Sequence, residues 1–166
     1  LKADYCICTI PLPVLRNVQT DLSSDIRRAI DFTAYMNTGK IGLQFKRRFW
    51  EEDDKIFGGI SRTNMDITQI FYPSYNFMGK KGLLKGYYNF HDRAVKMGNL
   101  SIAEREKAAL EQGSKIHPQY ATEFESSFSL AWQKIPYSQG GWAEYSESAR
   151  KRFYPALIKP DDEIYF

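Results

Sequence analysis

A lysine, a tyrosine and two glycines followed by a tryptophan are the residues of this sequence best suited to chemistry. Lys40 starts an alternating segment that reaches the pair Phe49-Trp50 nine positions later. An amine in a dry pocket can hold a water molecule beside a reacting group. Tyr87 offers a phenol donor, and Gly140-Gly141-Trp142 combines a close backbone approach with an aromatic face. The last segment therefore suits a flat ring.

Each of these residues also has an ordinary structural interpretation. Lys40 could be a solvated lysine at the mouth of a strand, and Tyr87 a tyrosine at a strand end with a solvated hydroxyl. Gly140-Gly141 could form a tight turn beside a core tryptophan at Trp142, and Trp132 could be a plain core tryptophan. Spacing alone does not choose between these interpretations.

Alternating and helical spacing predict the elements that must position these side chains. Ser101 and Glu104 form a capping-box pattern, and Gly113 suits the position just after a helix. We interpret Glu104–Lys107 as a solvated helix face with minor charge pairs. The predicted helices cover residues 23–35 and 101–112, and the predicted strands cover residues 3–10, 41–46, 56–61, 68–72, 82–88, 124–132 and the last residues from 164.

This order of elements predicts an α/β or α+β chain with a mixed or antiparallel sheet and helices packed on it. With 166 residues, of which 43% are hydrophobic, the chain can bury a core and is not disordered. The formal charge of +3 is too small to indicate a nucleic-acid or anionic-lipid partner. The run Lys46-Arg47-Arg48-Phe49-Trp50 is followed at once by four acidic residues, which cancel its field within about 8 to 10 Å.

The cysteines and histidines do not indicate a metal site. Cys6 and Cys8 lie on one face of the first predicted strand, too close in sequence for a useful disulfide, and we expect two buried thiols. His91 and His117 are isolated from each other and from the cysteines. We therefore expect no metal ligands.

The ends of the chain carry no recognisable targeting signal. No apolar run reaches the roughly 18 residues of a membrane span, and residues 1 onward do not follow the pattern of a signal peptide. We expect a soluble protein, either cytoplasmic or secreted, without a membrane partner. The chain begins with Leu1 in a strand pattern and ends at Phe166 as another strand begins, so both ends look cut.

Taken as an ordered set, three segments resemble the flavin-containing amine oxidase family, and within it the bacterial L-amino-acid oxidases. They are Gly39 to Glu52, Gly82 to Tyr87 and Tyr137 to Trp142. The resemblance implies a fragment from the later half of such an enzyme. Residues 1–38 would belong to a partial FAD-binding domain, residues 39–131 to the substrate-binding domain, and residues 132–166 to the return into a glutathione-reductase-like FAD-binding domain. The sequence contains no G-x-G-x-x-G after a strand, and the Ala-Gly-Glu-type segment expected beyond Phe166 is missing.

The resemblance also implies a role for each candidate residue. Lys40 is similar to the lysine that holds a water beside the flavin N5 atom, and Tyr87 to the tyrosine that binds the substrate carboxylate. Trp142, with Gly140 and Gly141, would form the wall of the flavin and substrate site, and Trp132 would pack near the flavin. Gly141 stands where some relatives carry a cysteine bonded to the flavin, which implies a non-covalent FAD.

The implied activity is the oxidative deamination of an L-amino acid to a 2-oxo acid, ammonia and hydrogen peroxide, with hydride transfer from the substrate Cα to flavin N5. An amine or polyamine oxidase fragment and a non-catalytic interaction domain remain alternatives. The implied partners are a small amino acid or amine, the remaining FAD-binding part, possibly as a separate chain, and further copies in a homo-oligomer. We expect this chain alone to bind FAD poorly and not to turn over. The assignment requires Lys40 and Trp142 to converge on one cavity.

Overall fold

The computed structural model describes residues 2–166, which form short helices and strands in alternation. Among these residues no helix is long and apolar enough to cross a membrane. In chain order the elements are β1 Cys6–Ile7, α1 Leu12–Leu15, α2 Ser24–Phe32, β2 Ala34–Tyr35, β3 Thr38–Phe45, α3 Phe49–Glu52, β4 Gly59–Arg62, β5 Gln69–Tyr72, β6 Gly82–Phe90, α4 His91–Asn99, α5 Ile102–Gly113, α6 Tyr120–Glu123, β7 Phe124–Ala131, a 3₁₀ turn Trp132–Lys134, β8 Ala143–Glu144, α7 Glu147–Leu157 and β9 Ile164–Tyr165.

The chain divides into two compact units. The central unit is Asn37–Trp132, and the split unit joins the residues up to Met36 with Gln133–Phe166. The central unit contains a five-stranded sheet in the order β4-β5-β6-β3-β7, in which every neighbouring pair is antiparallel. The split unit holds one parallel pair, β1 with β9, and one antiparallel pair, β2 with β8. The predicted combination of helices with a mixed or antiparallel sheet is confirmed.

Alternation in β3 decides which face of the central sheet is buried. Ile41, Leu43 and Phe45 are fully buried, while Lys40, Gly42 and Gln44 between them are half-buried. The buried set packs against Phe49 and Trp50 of α3 and against residues of α4, α5 and α6. Each large side chain buried in this way contributes about 1.5 to 3 kcal/mol. We call this side the core face of the central sheet and the other side its open face.

A β-bulge interrupts the alternation of β6. Gly42 pairs with Lys85 and Ile41 pairs with Tyr87, so Gly86 has no partner on β3. A Cβ atom at Gly86 would lie 2.3 Å from Cδ1 of Leu43, so the bulge needs a glycine here. The extra residue reverses the faces that the side chains after it occupy.

The capping box of α5 is present as predicted. The Ser101 hydroxyl accepts from the Glu104 amide, and the Glu104 carboxylate accepts from the Ser101 amide. Gly113, however, is the last residue of the helix rather than the residue after it. Its lack of a side chain serves packing, because a Cβ atom there would lie 2.1 Å from the ring of Tyr120.

The solvated face predicted for Glu104–Lys107 is only partly correct. Lys107 is exposed and lies 3.8 Å from Glu111. Arg105 instead donates to the backbone carbonyls of Met97, Gly98 and Leu100, which fixes the turn between α4 and α5. The last carbonyls of a helix lack partners within the helix, and the Arg105 guanidinium donates hydrogen bonds to them.

Five of the seven α-helices of residues 2–166 were not predicted from the sequence, and the longest of these five are α4 and α7. Helix α4 follows β6 without a loop, and the corner is made by His91 in the left-handed region with φ 51°. Helix α7 starts at the N-cap Ser146, whose hydroxyl accepts from the Ala149 amide, and it contains Pro155 near its end. Neither helix has the Ser-x-x-Glu capping box that predicts the start of α5.

The split unit is held by helix packing. Helix α2 lies within the predicted range, and its Phe32 stacks on Phe153 of α7 with ring centroids 4.7 Å apart. The first strand is much shorter than predicted, because only Cys6 and Ile7 pair with β9. The prediction of two buried thiols is wrong, since Cys6 is exposed and Cys8 is half-buried. A strand of only two residues covers little of the surface around Cys6 and Cys8, so the two thiols are not buried.

Candidate functional site

Lys40 lies on the open face of the central sheet. Its cross-strand partner is Tyr88 on β6, and the Lys40 Nζ atom is 4.5 Å from the centroid of the Tyr88 ring. Residues directly opposite in an antiparallel pair share a face, and a cation over an aromatic face is attracted to it. The side chain is therefore held against an aromatic ring and is more than an idle solvated lysine at a strand mouth.

A second lysine shares this face. Lys85 pairs with Gly42 and with Phe71, and its Nζ atom is 4.0 Å from the Phe71 centroid and 5.2 Å from the Tyr88 centroid. Burial lowers the pKa of Lys85, and the charge of Lys40 lowers it further. The open face thus carries two ammonium groups on one pair of aromatic rings, an arrangement that sequence reasoning missed.

Tyr87 lies on the core face, opposite to Lys40. It pairs with Ile41, and only 1% of its surface is exposed. Burial raises the pKa of Tyr87, while Arg105 and Ser129 partly offset this shift. The alternative of a solvated hydroxyl at a strand end is therefore wrong. The bulge at Gly86 is the reason that Tyr88, and not Tyr87, contacts Lys40.

Two buried polar side chains lie near Tyr87. Ser129 on β7 pairs with Ile41, and Asn89 on β6 pairs with Gly39, so both side chains lie on the core face with Tyr87. Both residues are buried; Asn89 Oδ1 has no hydrogen-bond partner among residues 2–166, and Ser129 is near enough to the Tyr87 hydroxyl to lower its pKa. Buried polar atoms are rarely left unpaired, so this position suits a polar group or a water molecule.

The glycine–tryptophan segment comes just before β8 and extends the two-stranded ribbon that β2 and β8 form in the split unit. The Gly141 amide donates to the carbonyl of Met36, and the Met36 amide donates to the carbonyl of Trp142, both at 2.9 Å. A Cβ atom at Gly140 would lie 2.6 Å from Cβ of Tyr35, so the close approach requires a glycine. Trp142 is 42% exposed, so the alternative of a core tryptophan is wrong.

The structure therefore sorts the predicted site residues into three places. Gly140, Gly141 and Trp142 lie together in the split unit, and Trp132, which is half-buried, is the last residue of the central unit and the first of the 3₁₀ turn. Lys40 and Tyr87 lie on opposite faces of the central sheet. The convergence of Lys40 and Trp142 stays a prediction.

A buried chain of hydrogen bonds surrounds His117, which the sequence had suggested to be isolated. His117 Nδ1 lies 2.8 Å from Asp54, and its Nε2 lies 2.6 Å from the Tyr72 hydroxyl. The Tyr72 hydroxyl in turn lies 2.8 Å from Ser61. A carboxylate can only accept, so Nδ1 carries the proton and Tyr72 donates to Nε2. Burial lowers the pKa of His117, against an opposite effect of Asp54.

The basic run that follows β3 is paired with acidic residues. Arg47 contacts Glu52, Asp53 and Glu123, and these hydrogen bonds raise its pKa. Arg48 and Glu51 form an ion pair in which both side chains are buried. Glu51 also accepts from the Met78 amide, and Arg48 donates to the Pro73 carbonyl. These charges tie α3 to neighbouring loops and do not form an open basic patch.

Comparison with known proteins gives a match over the whole chain. Residues 1–166 match the family described as flavin containing amine oxidoreductase. The chain is 34% identical to YobN of Bacillus subtilis strain 168, whose name assigns it provisionally to the L-amino-acid oxidases, over 99% of this chain and 35% of that protein. It is 29% identical to the flavin-dependent L-tryptophan oxidase RebO of Lentzea aerocolonigenes, over 100% of this chain and 36% of that protein.

Solved structures give the same fold. Cyclohexylamine oxidase from Brevibacterium oxydans IH-35A superposes with a TM-score of 0.84 at 16% identity, covering 100% of this chain and 37% of that one. Wild-type putrescine oxidase bound to putrescine gives 0.81 at 17% identity, covering 99% of this chain and 36% of that one. The chain thus spans about a third of the length of the proteins that it matches.

Proposed function

Because this chain belongs to the flavin-containing amine oxidoreductase family, we propose that it is part of an FAD-dependent L-amino-acid oxidase. The reaction converts an L-amino acid, dioxygen and water into a 2-oxo acid, ammonia and hydrogen peroxide. Support comes from relatives named as L-amino-acid oxidases, which match nearly all of this chain. The observation that carries the residue assignment is Lys40, an amine held on the open face by Tyr88 without a carboxylate partner among residues 2–166.

FAD is the cofactor of the family, and the residues present fit its ring end. An exposed indole at Trp142, next to glycines that allow close approach, suits one face of a flat ring. The phosphate-binding glycine pattern is absent from this sequence, so the groups that hold the rest of FAD belong to other parts of the protein. When bound, the flavin accepts the two electrons removed from the substrate.

Lys40 would hold the water that hydrolyses the imino acid. Its ammonium is positioned by the Tyr88 ring at 4.5 Å and forms no ion pair with residues 2–166.

Tyr87 would bind the substrate carboxylate through its hydroxyl. Support comes from Asn89 Oδ1 on the same face, a buried acceptor that lacks a partner among residues 2–166. A phenol donor contributes about 1 kcal/mol to such binding. Trp132 would pack near the flavin, as a half-buried residue at the end of the central unit.

The test uses the full-length protein that contains this chain, purified with FAD. L-amino acids should reduce the flavin in the absence of oxygen and give equal amounts of peroxide, ammonia and 2-oxo acid in its presence. Lys40→Met should lower kcat by about a hundredfold or more, since positioned acid–base groups contribute that much. Lys115→Met, at an exposed lysine of the central unit, is the control and should leave kcat unchanged. Full activity of Lys40→Met would refute the role of Lys40.

A further inference from the structure

We propose that Lys85 makes the open face of the central sheet selective for substrates that carry an additional negative charge and against cationic amines. The inference rests on the proposed function through the role of Lys40 alone, because it takes the open face around Lys40, and not the core face of Tyr87, as the side that the substrate approaches. It goes further by naming the charge class of the substrate and a residue that determines it. Four observations on the open face carry it.

The aromatic rings of this face are already occupied by the protein's own cations. Lys85 Nζ lies 4.0 Å from the centroid of Phe71, and Lys40 Nζ lies 4.5 Å from that of Tyr88. A site that binds a cationic amine through aromatic faces needs those faces free for the ligand. Here Phe71 and Tyr88 stabilise the ammonium groups of Lys85 and Lys40 instead, so a cationic ligand would meet repulsion rather than an aromatic cage.

These two charges are not neutralised locally. Among residues 2–166, Lys40 and Lys85 take part in none of the ion pairs within 4 Å. By contrast, Lys81 and Lys96 of the same unit each contact a carboxylate at 2.6 Å. The ammonium groups of Lys40 and Lys85 therefore carry charge that a ligand can meet.

The strand register adds a third cation to this face, and the nearby Glu125 at the bulge of β7 is paired with Lys81. Arg62 on the edge strand β4 pairs with Gln69, which is two residues before Phe71 and therefore shares its face. On the other side, β7 places Leu130 opposite Lys40 and Phe128 opposite Gly42. Two unit charges at 8 Å in a medium of effective dielectric constant about 40 interact by about 1 kcal/mol, enough for a several-fold preference between substrates of opposite charge.

Lys85 is also unlike an ordinary surface lysine. It is half-buried between two rings, and burial lowers the pKa of its ammonium. A purely structural lysine would be equally well replaced by a neutral chain of similar length, because its stem would still cover the rings. The charge of Lys85, and not its stem, is therefore the functional group. Lys85→Gln removes this charge and Lys85→Arg keeps it.

The experiment compares kcat/KM of the full-length flavoprotein for L-glutamate, L-norleucine and L-lysine, which differ in side-chain charge. Lys85→Gln should lower the ratio of L-glutamate to L-lysine by about tenfold and leave L-norleucine within about twofold. Lys85→Arg should keep the ratio near that of the wild type. Lys81→Gln, which removes an exposed lysine paired with Glu125, is the matched control and should not change the ratio. An unchanged ratio in Lys85→Gln would overturn the proposal.

A binding measurement separates this proposal from the proposed function. Calorimetry with glutarate, a dianion that cannot be oxidised here, should show binding that weakens several-fold in Lys85→Gln and with added salt. Cadaverine, a dication of similar length, should bind more weakly than glutarate to the wild type. If glutarate binding depends on Lys85 but no L-amino acid is oxidised, the proposed function fails and the charge selectivity stands. If amino acids are oxidised but glutarate binding is absent or independent of Lys85, only the selectivity fails.

Discussion

Lys40 and Tyr88 face each other across β3 and β6 with a cation–ring distance of 4.5 Å, whereas Tyr87, one residue earlier, lies on the opposite face of the same sheet. The bulge at Gly86 produces this arrangement. Regular alternation from Lys85 would place Tyr87 beside Lys40 and Tyr88 in the core. One extra residue exchanges the two tyrosines between the faces, and so determines which of them contacts the lysine.

Gly86→Ala should destabilise the full-length protein by about 1 to 3 kcal/mol, because the added methyl group would lie 2.3 Å from Leu43 in a packed core. The free energy of unfolding from urea titration measures this cost. Gly42→Ala is the matched control, since its methyl group would meet Leu83 at an ordinary 3.4 Å on the open face. Equal stability of the two variants would mean that the bulge is not fixed by packing.

Tyr87→Phe should raise KM for L-amino acids about fivefold with a small change in kcat, because it removes a hydroxyl worth about 1 kcal/mol but keeps the buried ring. Tyr88→Phe is the control, since it keeps the ring under Lys40 and should leave KM unchanged. Steady-state kinetics of peroxide release gives both values. An increase in KM for Tyr88→Phe alone would move the carboxylate contact to the open face, and an unchanged KM in both would favour an amine oxidase.

The parts of the fold that follow local rules were predictable from the sequence. The core face of β3 follows from strict alternation, and the start of α5 follows from Ser101 and Glu104. The bulge at Gly86 could not be predicted, since it depends on the pairing of two strands that are about forty residues apart. The partners of His117 are 45 and 63 residues away in the sequence, which explains why it had looked isolated.

The candidate site likewise combines features that follow local sequence rules with features that depend on strand pairing. The close backbone approach at Gly140 lies where the sequence allowed a tight turn, because glycines mark turns locally. The second lysine of the open face could have been found only with the register, since Lys85 and Lys40 are 45 residues apart and meet through Tyr88. Cation–ring contacts have no sequence pattern of their own.

Glu51→Gln should destabilise the protein by about 3 to 5 kcal/mol, because it leaves the buried guanidinium of Arg48 without its counter-charge. Arg48 holds the pKa of Glu51 below its usual range, so the carboxylate is charged in the folded protein. Urea unfolding at pH 7 measures the effect. Glu52→Gln is the control, since Glu52 is partly exposed and Arg47 keeps two other carboxylates, and it should cost less than about 1 kcal/mol. A small effect of Glu51→Gln would show that water reaches the pair.

Because His117 is buried, the free energy of unfolding should decrease as the pH is lowered from about 7 to 5. Burial lowers the pKa of His117 in the folded protein below the ordinary 6.5 that it has when unfolded. Below pH 6.5 the unfolded chain therefore binds a proton that the folded protein does not, and the free energy of unfolding decreases as the pH falls toward the folded pKa. Above pH 6.5 both states are neutral at this residue and the contribution is constant. The slope from this single proton is at most about 1.4 kcal/mol per pH unit.

Urea unfolding of the full-length protein at several pH values between 5 and 8 measures this slope. His117→Gln should lose stability at pH 7, because Tyr72 and Asp54 lose their partner, and should also lose most of the slope below pH 6.5. His91→Gln changes an exposed histidine and should keep the slope of the wild type. The carboxylates with lowered pKa, Glu51 among them, act only at more acidic pH and do not interfere in this window. The same slope in His117→Gln and the wild type would show that another group is responsible, and that protonation of His117 does not limit the stability of the central unit.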